Sequence, residues 1–470
     1  MHKERLFGTD GIRGIPGDYP LTDGMLFKIG RSAAKLLLHR QQGATNAPIP
    51  QIIIGNDTRL SGYKLETILR SGITSCGVNV LLGGVVPTPG LAFLTRKFKA
   101  DMGLMISASH NRPEDNGIKF FSESGYKLSE REEQWMEDII FSSLLNLDES
   151  NIYKLGSVIQ VEEGQEQYIG FLKSSVSDLT LGGMKIVVDC GNGSVSNFAP
   201  RLFRELGAEV ISVGDRPNGT NINVGFGVLH PEKMAEIVTK FRADIGFAFD
   251  GDGDRLIMSD EKGNVLDGDY IMAIIGLHLL KQNRLPKKTI VSTVMSNCGF
   301  EVAIRTAGGT LLRTDVGDKY VLERMREQGF AFGGEQSGHV IFLEHSTTGD
   351  SLITALQVLK TMKETGRKLS QLAQCMNKFP QVLVNVEVKQ RKPLESVSEV
   401  CQAVSDSNKR LKGNGRILVR YSGTEPVARI MVEGKDMELI EEIANCVAGA
   451  IRKKLGSGRD CPSTSLLSAE

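Results

Sequence analysis

The sequence lacks an excess of charge of either sign, because 56 lysines and arginines balance 56 aspartates and glutamates over 470 residues. Proteins that hold nucleic acid by surface charge carry a basic patch or stripe. The balance therefore argues against nucleic acid as a partner. A phosphorylated ligand would have to be held by a few local cations.

Cysteine, histidine and long apolar runs are also scarce. The seven cysteines are scattered, odd in number and without a Cys-x-x-Cys pair, which is typical of reduced thiols. The seven histidines form no His-Glu-x-x-His pattern, so we expect no zinc site. The longest uncharged apolar stretch, 270–280, is too short to span a bilayer, and the N-terminus shows no signal sequence. We expect a soluble cytoplasmic protein with no membrane partner.

Signatures of nucleotide-dependent and hydrolytic enzymes are missing too. No Gly-x-x-x-x-Gly-Lys-Ser/Thr loop is present, and Gly191-x-Gly193 is followed by Ser196 where a dinucleotide fingerprint needs glycine. No Gly-x-Ser-x-Gly elbow contains Ser109, which argues against an ordinary serine hydrolase.

The chain has room for three or four domains at about 150 residues each. Up to about residue 370, strands and helices alternate in three successive rounds, which predicts α/β modules. The strict alternation in 384–389 then favours a sheet with one solvated face, in a smaller α+β domain. The predicted domains are 1–150, 151–255, 256–370 and 371–455, followed by a flexible tail at 456–470.

Three predicted strands end in polar residues of different chemistry. The apolar run 102–106 leads into Ser107-Ala108-Ser109-His110-Asn111, the run 244–249 leads into three aspartates, and 330–332 leads into a glycine-flanked polar loop at 333–339. Ligands of open α/β sheets bind beyond the carboxyl ends of the strands. The sequence therefore predicts a site that combines a hydroxyl, a cation site and a recognition loop.

Asp250, Asp252 and Asp254 alternate with glycines, so in an extended conformation all three would face one side, and the glycines permit a tight wrap about one cation. Carboxylate oxygens favour a hard ion such as Mg²⁺, which is the cofactor we predict. A calcium loop is an alternative because Glu261 falls at its twelfth position, although Arg255 occupies the sixth, where that loop needs glycine. A solvated acidic turn is the other alternative.

Six motifs resemble those of the α-D-phosphohexomutase superfamily, and within it the enzymes that interconvert glucosamine 6-phosphate and glucosamine 1-phosphate. In chain order they are FGTDGIRG (7–14), SASHN (107–111), DNGIK (115–119), DGDGDR (250–255), GEQSGH (334–339) and RYSGTEP (420–426). They span nearly the whole chain. One departure is Arg112, which stands where the family usually has proline, with Pro113 behind it.

The resemblance implies three similar α/β/α modules with mixed sheets plus a smaller C-terminal α+β domain, around a central cleft. It also implies an isomerase that transfers phosphate through phosphoserine at Ser109 and a bisphosphorylated sugar. Ser109 would complete the metal shell of the three aspartates. The other implied catalytic residues are Lys119 and His339 in proton transfer, Arg13 at the phosphoryl group, and His110. The alternatives without a catalytic role are a surface lysine for Lys119 and a core histidine for His339.

The substrate would be a phosphosugar held from two loops. Glu335 and Ser337 can pair with sugar hydroxyls, although an ordinary turn is the alternative, and 420–426 has the ingredients of a phosphate nest. Arg429 would add a second guanidinium, unless it is an exposed strand residue. The predicted substrate-binding residues are Glu335, Ser337, Arg255, Arg420, Ser422, Gly423, Thr424 and Arg429.

Gln336 favours glucosamine phosphate, because the mannose and glucose enzymes of the superfamily more often have methionine there. A phosphomannomutase or phosphoglucomutase with the same mechanism is the nearest alternative. A Mg²⁺-dependent sugar phosphatase and a catalytically silent sensor are others. The sequence does not fix the oligomeric state, for which a homodimer is one option.

Overall fold

The computed structural model describes residues 5–8, 10–42, 48–142, 155–422 and 426–456, together with the backbone of 464–465. The chain divides into two compact units. One comprises Met1–Met295 and Gly309–Cys375, and the other comprises Ser296–Gly308 and Met376–Glu470.

The first unit holds three α/β modules, and the first module is built on a six-stranded sheet. Its strands are β1 (Ile12–Gly14), β2 (Gln51–Asn56), β3 (Asn79–Val85), β4 (Met102–Ile106), β5 (Asn116–Ser122) and β6 (Val158–Gln160). The sheet order is β1-β5-β4-β2-β3-β6. β4, β2, β3 and β6 run parallel, whereas β5 is antiparallel to both β4 and β1. The sheet is therefore mixed.

Helices lie between most of these strands along the chain. They are α1 (Asp23–Arg40), α2 (Gly62–Thr74), α3 (Thr88–Lys97), α4 (Glu130–Ile140) and α5 (Gly164–Ser174). The Thr22 side chain accepts the Met25 amide at 3.3 Å and so caps α1, a role for which threonine is favoured. α1 packs against α2 and α4, and α3 packs against α5.

Part of the stretch 156–181, which the predicted boundary at 150 assigns to the second domain, contributes to this first module. Val80 to Leu82 of β3 pair with β6, and Phe93 of α3 stacks on Phe171 of α5 with ring centroids 4.5 Å apart. Three-residue strands carry too little periodicity to be recognised in a sequence. This strand lies beyond the predicted boundary at 150.

The second and third modules repeat the arrangement with smaller mixed sheets. The second has β7 (Lys185–Asp189), β8 (Glu209–Val213), β9 (Ile245–Phe249), β10 (Leu256–Asp260) and β11 (Val265–Leu266), with α6 (Ala199–Glu205) and α7 (Pro231–Phe241). The third has α8 (Gly268–Lys281), β12 (Thr289–Thr293), β13 (Thr310–Thr314), α10 (Asp318–Gln328), β14 (Phe332–Gly334), β15 (Val340–Phe342), α11 (Ser351–Thr365) and α12 (Leu369–Leu372). Their orders are β11-β10-β9-β7-β8 and β13-β12-β14-β15.

The second unit is an α+β fold. It contains α9 (Cys298–Thr306), β16 (Gln381–Glu387), α13 (Ser398–Leu411), β17 (Gly415–Tyr421), β18 (Val427–Gly434), α14 (Met437–Leu455) and β19 (Thr464–Ser465). The sheet is antiparallel, in the order β17-β18-β16-β19. Buried residues alternate along β16, as the sequence predicts. With three mixed-sheet α/β modules and this smaller domain, the predicted fold class is confirmed.

Helix α9 belongs to this second unit, although the sequence places it within the third α/β round. The Cys298 amide donates to Glu433 Oε1 at 2.5 Å, and Asn297 Nδ2 donates to the Phe379 carbonyl at 3.0 Å. In the part of the chain that the structure describes, no helix has both the length and the apolar character needed to cross a membrane.

A buried hydrogen bond joins two helices of the first unit. Tyr168 of α5 donates its hydroxyl to Asp350 Oδ2 at 2.9 Å. Asp350 Oδ1 also caps α11 by accepting the amides of Leu352 and Ile353, both at 3.0 Å. Burial raises the pKa of Asp350 from its ordinary 3.8 to about 6, and these hydrogen bonds oppose the shift.

We expect Asp350→Asn to remove a pH dependence of stability. The raised pKa means that the folded chain binds a proton at Asp350 more tightly than the unfolded chain, so stability falls as pH rises from about 4 to about 6 and is level above. The change is about 3 kcal/mol. The thermal midpoint of Asp350→Asn should therefore rise relative to wild type across this interval. Asp178→Asn, at an exposed position, is the control, and parallel curves for wild type and Asp350→Asn would contradict the expectation.

Candidate active site

Ser109 lies just beyond the carboxyl end of β4, where the sequence places it. Its hydroxyl donates to Asp250 Oδ2 at 2.6 Å, and its amide donates to Ser107 Oγ at 2.9 Å. Ser109 is 1% exposed and adopts a left-handed backbone conformation, with φ +53°. The structure thus brings the predicted hydroxyl against the first predicted metal ligand, across two modules.

The three aspartates follow β9 and converge through a turn, with Gly253 at φ +72°. The turn is the tight conformation that the intervening glycines permit. Asp250 Oδ1 accepts the amides of Asp254 and Arg255, both at 3.1 Å, which closes the turn. One carboxylate oxygen from each aspartate lies within 4.8 Å of the others.

All three carboxylates are buried, so the alternative of a solvated acidic turn is wrong. Burial and the neighbouring carboxylates raise the pKa of Asp250 well above its usual value. Asp252 Oδ1 and Asp254 Oδ1 find no hydrogen-bond partner among the described residues. Buried carboxylate oxygens without partners are costly, and a divalent cation would satisfy them, so this donor set fits a metal ion. Glu261, the last ligand of the calcium alternative, instead accepts the Ser370 hydroxyl at 2.5 Å.

Lys119 of β5 is buried beside the aspartates and is not a surface lysine. Its Nζ lies 2.8 Å from Asp252 Oδ2, 3.0 Å from Asp10 Oδ2 and 3.4 Å from Asp254 Oδ2. Burial alone would lower the pKa of Lys119, but the three carboxylates outweigh it and raise the pKa well above its usual value. In this arrangement Lys119 is a cation that donates hydrogen bonds.

His339 precedes β15 and faces the buried cluster formed by Asp250, Asp252, Asp254 and Lys119. Its Nδ1 lies 3.7 Å from Asp254 Oδ2, and its Nε2 lies 3.6 Å from Asp318 Oδ2. Burial lowers the pKa of His339, but Asp254 and Asp318 outweigh it and raise the pKa. The Gly349 amide donates to Nε2 at 3.1 Å, which in the neutral ring places the proton on Nδ1, towards Asp254.

We expect Gly349→Ala to displace His339. A Cβ at position 349 would lie 2.5 Å from His339 Nε2 and 2.6 Å from Cε1, which no side chain tolerates, so the ring must leave its present position. A displacement of about 1 Å near reacting groups costs about 10²-fold in kcat. Steady-state turnover of the purified variant measures the loss.

The matched control is Gly170→Ala, because a Cβ at this exposed position of α5 meets no atom within 4 Å. It should keep wild-type turnover and gain up to about 1 kcal/mol of stability from helix propensity. Wild-type turnover in Gly349→Ala would show that the orientation of His339 does not matter.

Arg13 and His110 lie at the edge of this cluster. Arg13 donates to Asp10 Oδ2 at 2.6 Å and to Asn111 Oδ1 at 3.2 Å. His110 Nδ1 is 3.3 Å from the Ser109 hydroxyl. Burial, followed by the charges of Arg255 and Arg13, lowers the pKa of His110 to about 4. His110 is therefore neutral at pH 7 and can accept a proton or a hydrogen bond.

The recognition loop is joined to the aspartate turn through backbone contacts. Arg255 forms a β-bridge with His339, and the Leu256 amide donates to the Gly338 carbonyl at 3.1 Å. Burial raises the pKa of Glu335, whose Oε1 accepts the Gly317 amide at 3.2 Å. Ser337 is exposed. These contacts set Glu335 and Arg255 beside the cluster.

Gln336 donates to Asp267 Oδ2 at 3.3 Å. Its amide therefore supports the start of α8, and this contact gives no reason for a preference among sugars. The substrate argument from Gln336 has no support in the geometry.

In the second unit, Arg420 and Arg429 are direct cross-strand partners on β17 and β18. Burial, and then the charge of Arg429, lower the pKa of Arg420. Two adjacent guanidiniums are suited to an anion. Ser422 is buried at the end of β17, whereas Gly423 and Thr424 lie outside the described residues.

Comparison with known proteins agrees with the motifs. Four models of the phosphoglucomutase/phosphomannomutase family match in succession, for α/β/α domains I, II and III at 4–146, 166–263 and 267–379 and for the C-terminal domain at 383–450. A phosphoglucosamine mutase of Geobacter sp. strain M21 is 49% identical over 96% of this chain and 99% of its own length. Another, from Anaeromyxobacter sp. strain Fw109-5, is 48% identical over 96% of each chain.

The chain belongs to the phosphoglucosamine mutase family. The superfamily predicted from the six motifs is thereby confirmed. Solved structures share the fold of the whole chain. A phosphoglucomutase/phosphomannomutase family protein of Burkholderia thailandensis has a TM-score of 0.77 at 25% identity, over 96% of this chain and 98% of its own. The Aspergillus fumigatus N-acetylphosphoglucosamine mutase in complex with GlcNAc-6P and magnesium has a TM-score of 0.66 at 18% identity, over 96% of each chain.

The structure of this phosphoglucosamine mutase family member adds polar residues that sequence reasoning missed. Lys127 Nζ lies 2.6 Å from Asp10 Oδ1 and 2.5 Å from Asp318 Oδ2, and so links these two carboxylates. Thr88 donates its hydroxyl to Asp252 Oδ2 at 2.6 Å. Nothing in the sequence marks Lys127 or Asp318. Arg59, in contrast, follows the end of β2, and the same argument from strand ends would have found it.

Proposed function

We propose that this chain interconverts glucosamine 6-phosphate and glucosamine 1-phosphate through a phosphorylated Ser109. The observation that carries the proposal is the Ser109 hydroxyl, held 2.6 Å from Asp250 within a buried cluster of three carboxylates. The phosphoglucosamine mutases at 48–49% identity support the reaction. The chain is then an isomerase that moves phosphate within one sugar.

In the first transfer, the free hydroxyl of the sugar monophosphate attacks the phosphorus of phosphoserine. The bond from phosphorus to Ser109 Oγ breaks, and the sugar hydroxyl loses its proton. The product is a sugar bisphosphate and free Ser109. In the second transfer, Ser109 Oγ attacks the phosphorus of the other phosphate and loses its proton. The bond from that phosphorus to its sugar oxygen breaks, and the sugar oxygen takes up a proton to become a hydroxyl.

Residues around Ser109 supply the charges that these steps need. We propose that Asp250, Asp252 and Asp254 hold Mg²⁺, which when bound offsets the negative charge of the phosphoryl oxygens. Lys119 and Arg13 are nearby cations. His110 is a neutral acceptor next to Ser109. In its neutral form, His339 holds a proton on Nδ1, towards Asp254. Lys119, His110 and His339 are thus the groups available for proton transfer.

The remaining predicted residues are proposed as ligands of the phosphosugar. We propose that Glu335, Ser337 and Arg255 contact sugar hydroxyls and that Arg420, Ser422, Gly423, Thr424 and Arg429 hold the phosphate that is not transferred. We also propose that the chain has the four domains predicted from the sequence, is located in the cytoplasm and forms a homodimer.

A coupled assay tests the function. Purified protein with Mg²⁺ should convert glucosamine 1-phosphate to glucosamine 6-phosphate and act more slowly on glucose and mannose phosphates. Equal rates on all three sugars would favour a phosphoglucomutase or phosphomannomutase. Inorganic phosphate released in step with substrate loss would favour a phosphatase.

A further inference from the structure

The guanidinium of Arg59 contacts the loop 107–115, which is called the Ser109 loop. Arg59 comes three residues after β2, the parallel neighbour of β4. Its side chain is completely buried, and its Nε lies 2.9 Å from Asp57 Oδ2. The same Asp57 oxygen accepts the Ser107 hydroxyl at 2.7 Å. Arg59 is therefore fixed in position by an ion pair that also holds the loop.

The other nitrogens of Arg59 bind only backbone carbonyls of the loop. Nη2 donates to the carbonyls of Ser109 and Asn111, both at 3.0 Å. Nη1 donates to the carbonyls of Asp115, at 2.9 Å, and Arg112. One guanidinium thus holds four carbonyls within seven residues.

A second group reaches the same carbonyls from the second module. Asn223 Nδ2 donates to the carbonyl of Ser109 at 2.9 Å and to that of Asn111 at 3.0 Å. Asn223 has a left-handed backbone, with φ +60°, and its own amide donates to the Gly191 carbonyl at 2.7 Å. The carbonyls of Ser109 and Asn111 therefore each accept from two modules.

These contacts oppose a strain in the loop. Ser109 has φ +53°, a conformation that residues other than glycine, asparagine and aspartate avoid. Without external donors, the loop would relax and turn the Ser109 hydroxyl away from Asp250. Strained backbone persists only where its surroundings determine it, and it clusters at active sites.

We infer that Arg59 and Asn223 are positioning residues, which hold Ser109 in the left-handed conformation that directs its hydroxyl at Asp250. The kinetic part of this inference rests on the proposed function. Both side chains contact the loop through its backbone, so they set the geometry of transfer without adding to the binding of sugar.

The test uses two nearly isosteric variants of the full-length protein. Asn223→Asp keeps the shape and tolerates φ > 0, but it sets a carboxylate against two carbonyl oxygens. Arg59→Lys keeps the charge but loses the fork that spans four carbonyls. We expect kcat to fall about 10²-fold in each, with the KM for sugar phosphate little changed. Amide exchange by mass spectrometry in peptides covering 107–115 should be about tenfold faster.

The controls are Asn283→Asp, at an exposed left-handed asparagine with φ +55°, and Arg242→Lys, at an exposed left-handed arginine with φ +51°. Both should match wild type in turnover and exchange. If Arg59→Lys does not fold, Asn223→Asp alone decides the matter. Unchanged exchange in 107–115, or a raised KM at constant kcat, would overturn the inference. Absence of mutase turnover in the wild type would refute the proposed function instead, and the exchange measurement would still decide the inference.

Discussion

Replacing Ser109 by alanine is expected to reduce mutase turnover by more than about 10³-fold, because Ser109 is the residue proposed to carry the phosphate between the two positions of the sugar. Alanine keeps the backbone and removes only the hydroxyl that donates to Asp250. Intact-protein mass spectrometry should also show one phosphate on the wild-type chain and none on the variant. Turnover and phosphate content are measured on the same preparations.

Ser124→Ala is the matched control, since Ser124 lies in the same module, on an exposed turn after β5. It should retain both turnover and the bound phosphate. Full activity in Ser109→Ala would exclude a covalent route through this residue. Retained phosphate with lost turnover would show that a different residue is phosphorylated.

The second large effect is expected from Asp252→Asn. Asp252 uses one carboxylate oxygen for Thr88 and Lys119, whereas the other finds no partner among the described residues. Asparagine preserves the shape, but it removes the charge that a divalent cation needs. We expect kcat to fall at least about 10²-fold and the affinity for Mg²⁺ to fall about 10-fold to 100-fold. Isothermal titration calorimetry with MgCl₂ measures binding separately from catalysis.

Asp178→Asn removes the same charge from an exposed loop and should leave both quantities unchanged. Mg²⁺ binding of wild-type strength in Asp252→Asn would mean that the cation is held elsewhere. In that event the unpartnered oxygens of Asp252 and Asp254 need a different explanation.

The centre of the site could be predicted from the sequence because its residues follow buried strands. β4 and β9 are short apolar runs, and a polar loop follows each of them. Ser109 and Asp250 could therefore be placed at sheet edges from the sequence alone. That the edges of different modules face one another could not be read from the pattern. It depends on contacts such as the bond from Ser109 to Asp250, whose partners are 141 residues apart.

What the sequence did not reveal falls into two classes. Lys127 and Asp318 lie outside any motif, and their roles depend on an ion pair that spans 191 residues. β6 was not recognised, because three residues carry too little periodicity, and local periodicity does not predict that α9 packs in the second unit.

The attachment of the Ser109 loop through its carbonyl oxygens has a consequence for sequence divergence. Every residue supplies a carbonyl, so the side chains at 112 and 114, both exposed, are free to vary while the loop keeps its path. Arg112, which stands where the superfamily usually has proline, supplies such a carbonyl to Arg59. Selection at this segment should act on the residues that reach it from elsewhere, Arg59 and Asn223, more strongly than on the segment's own outward side chains.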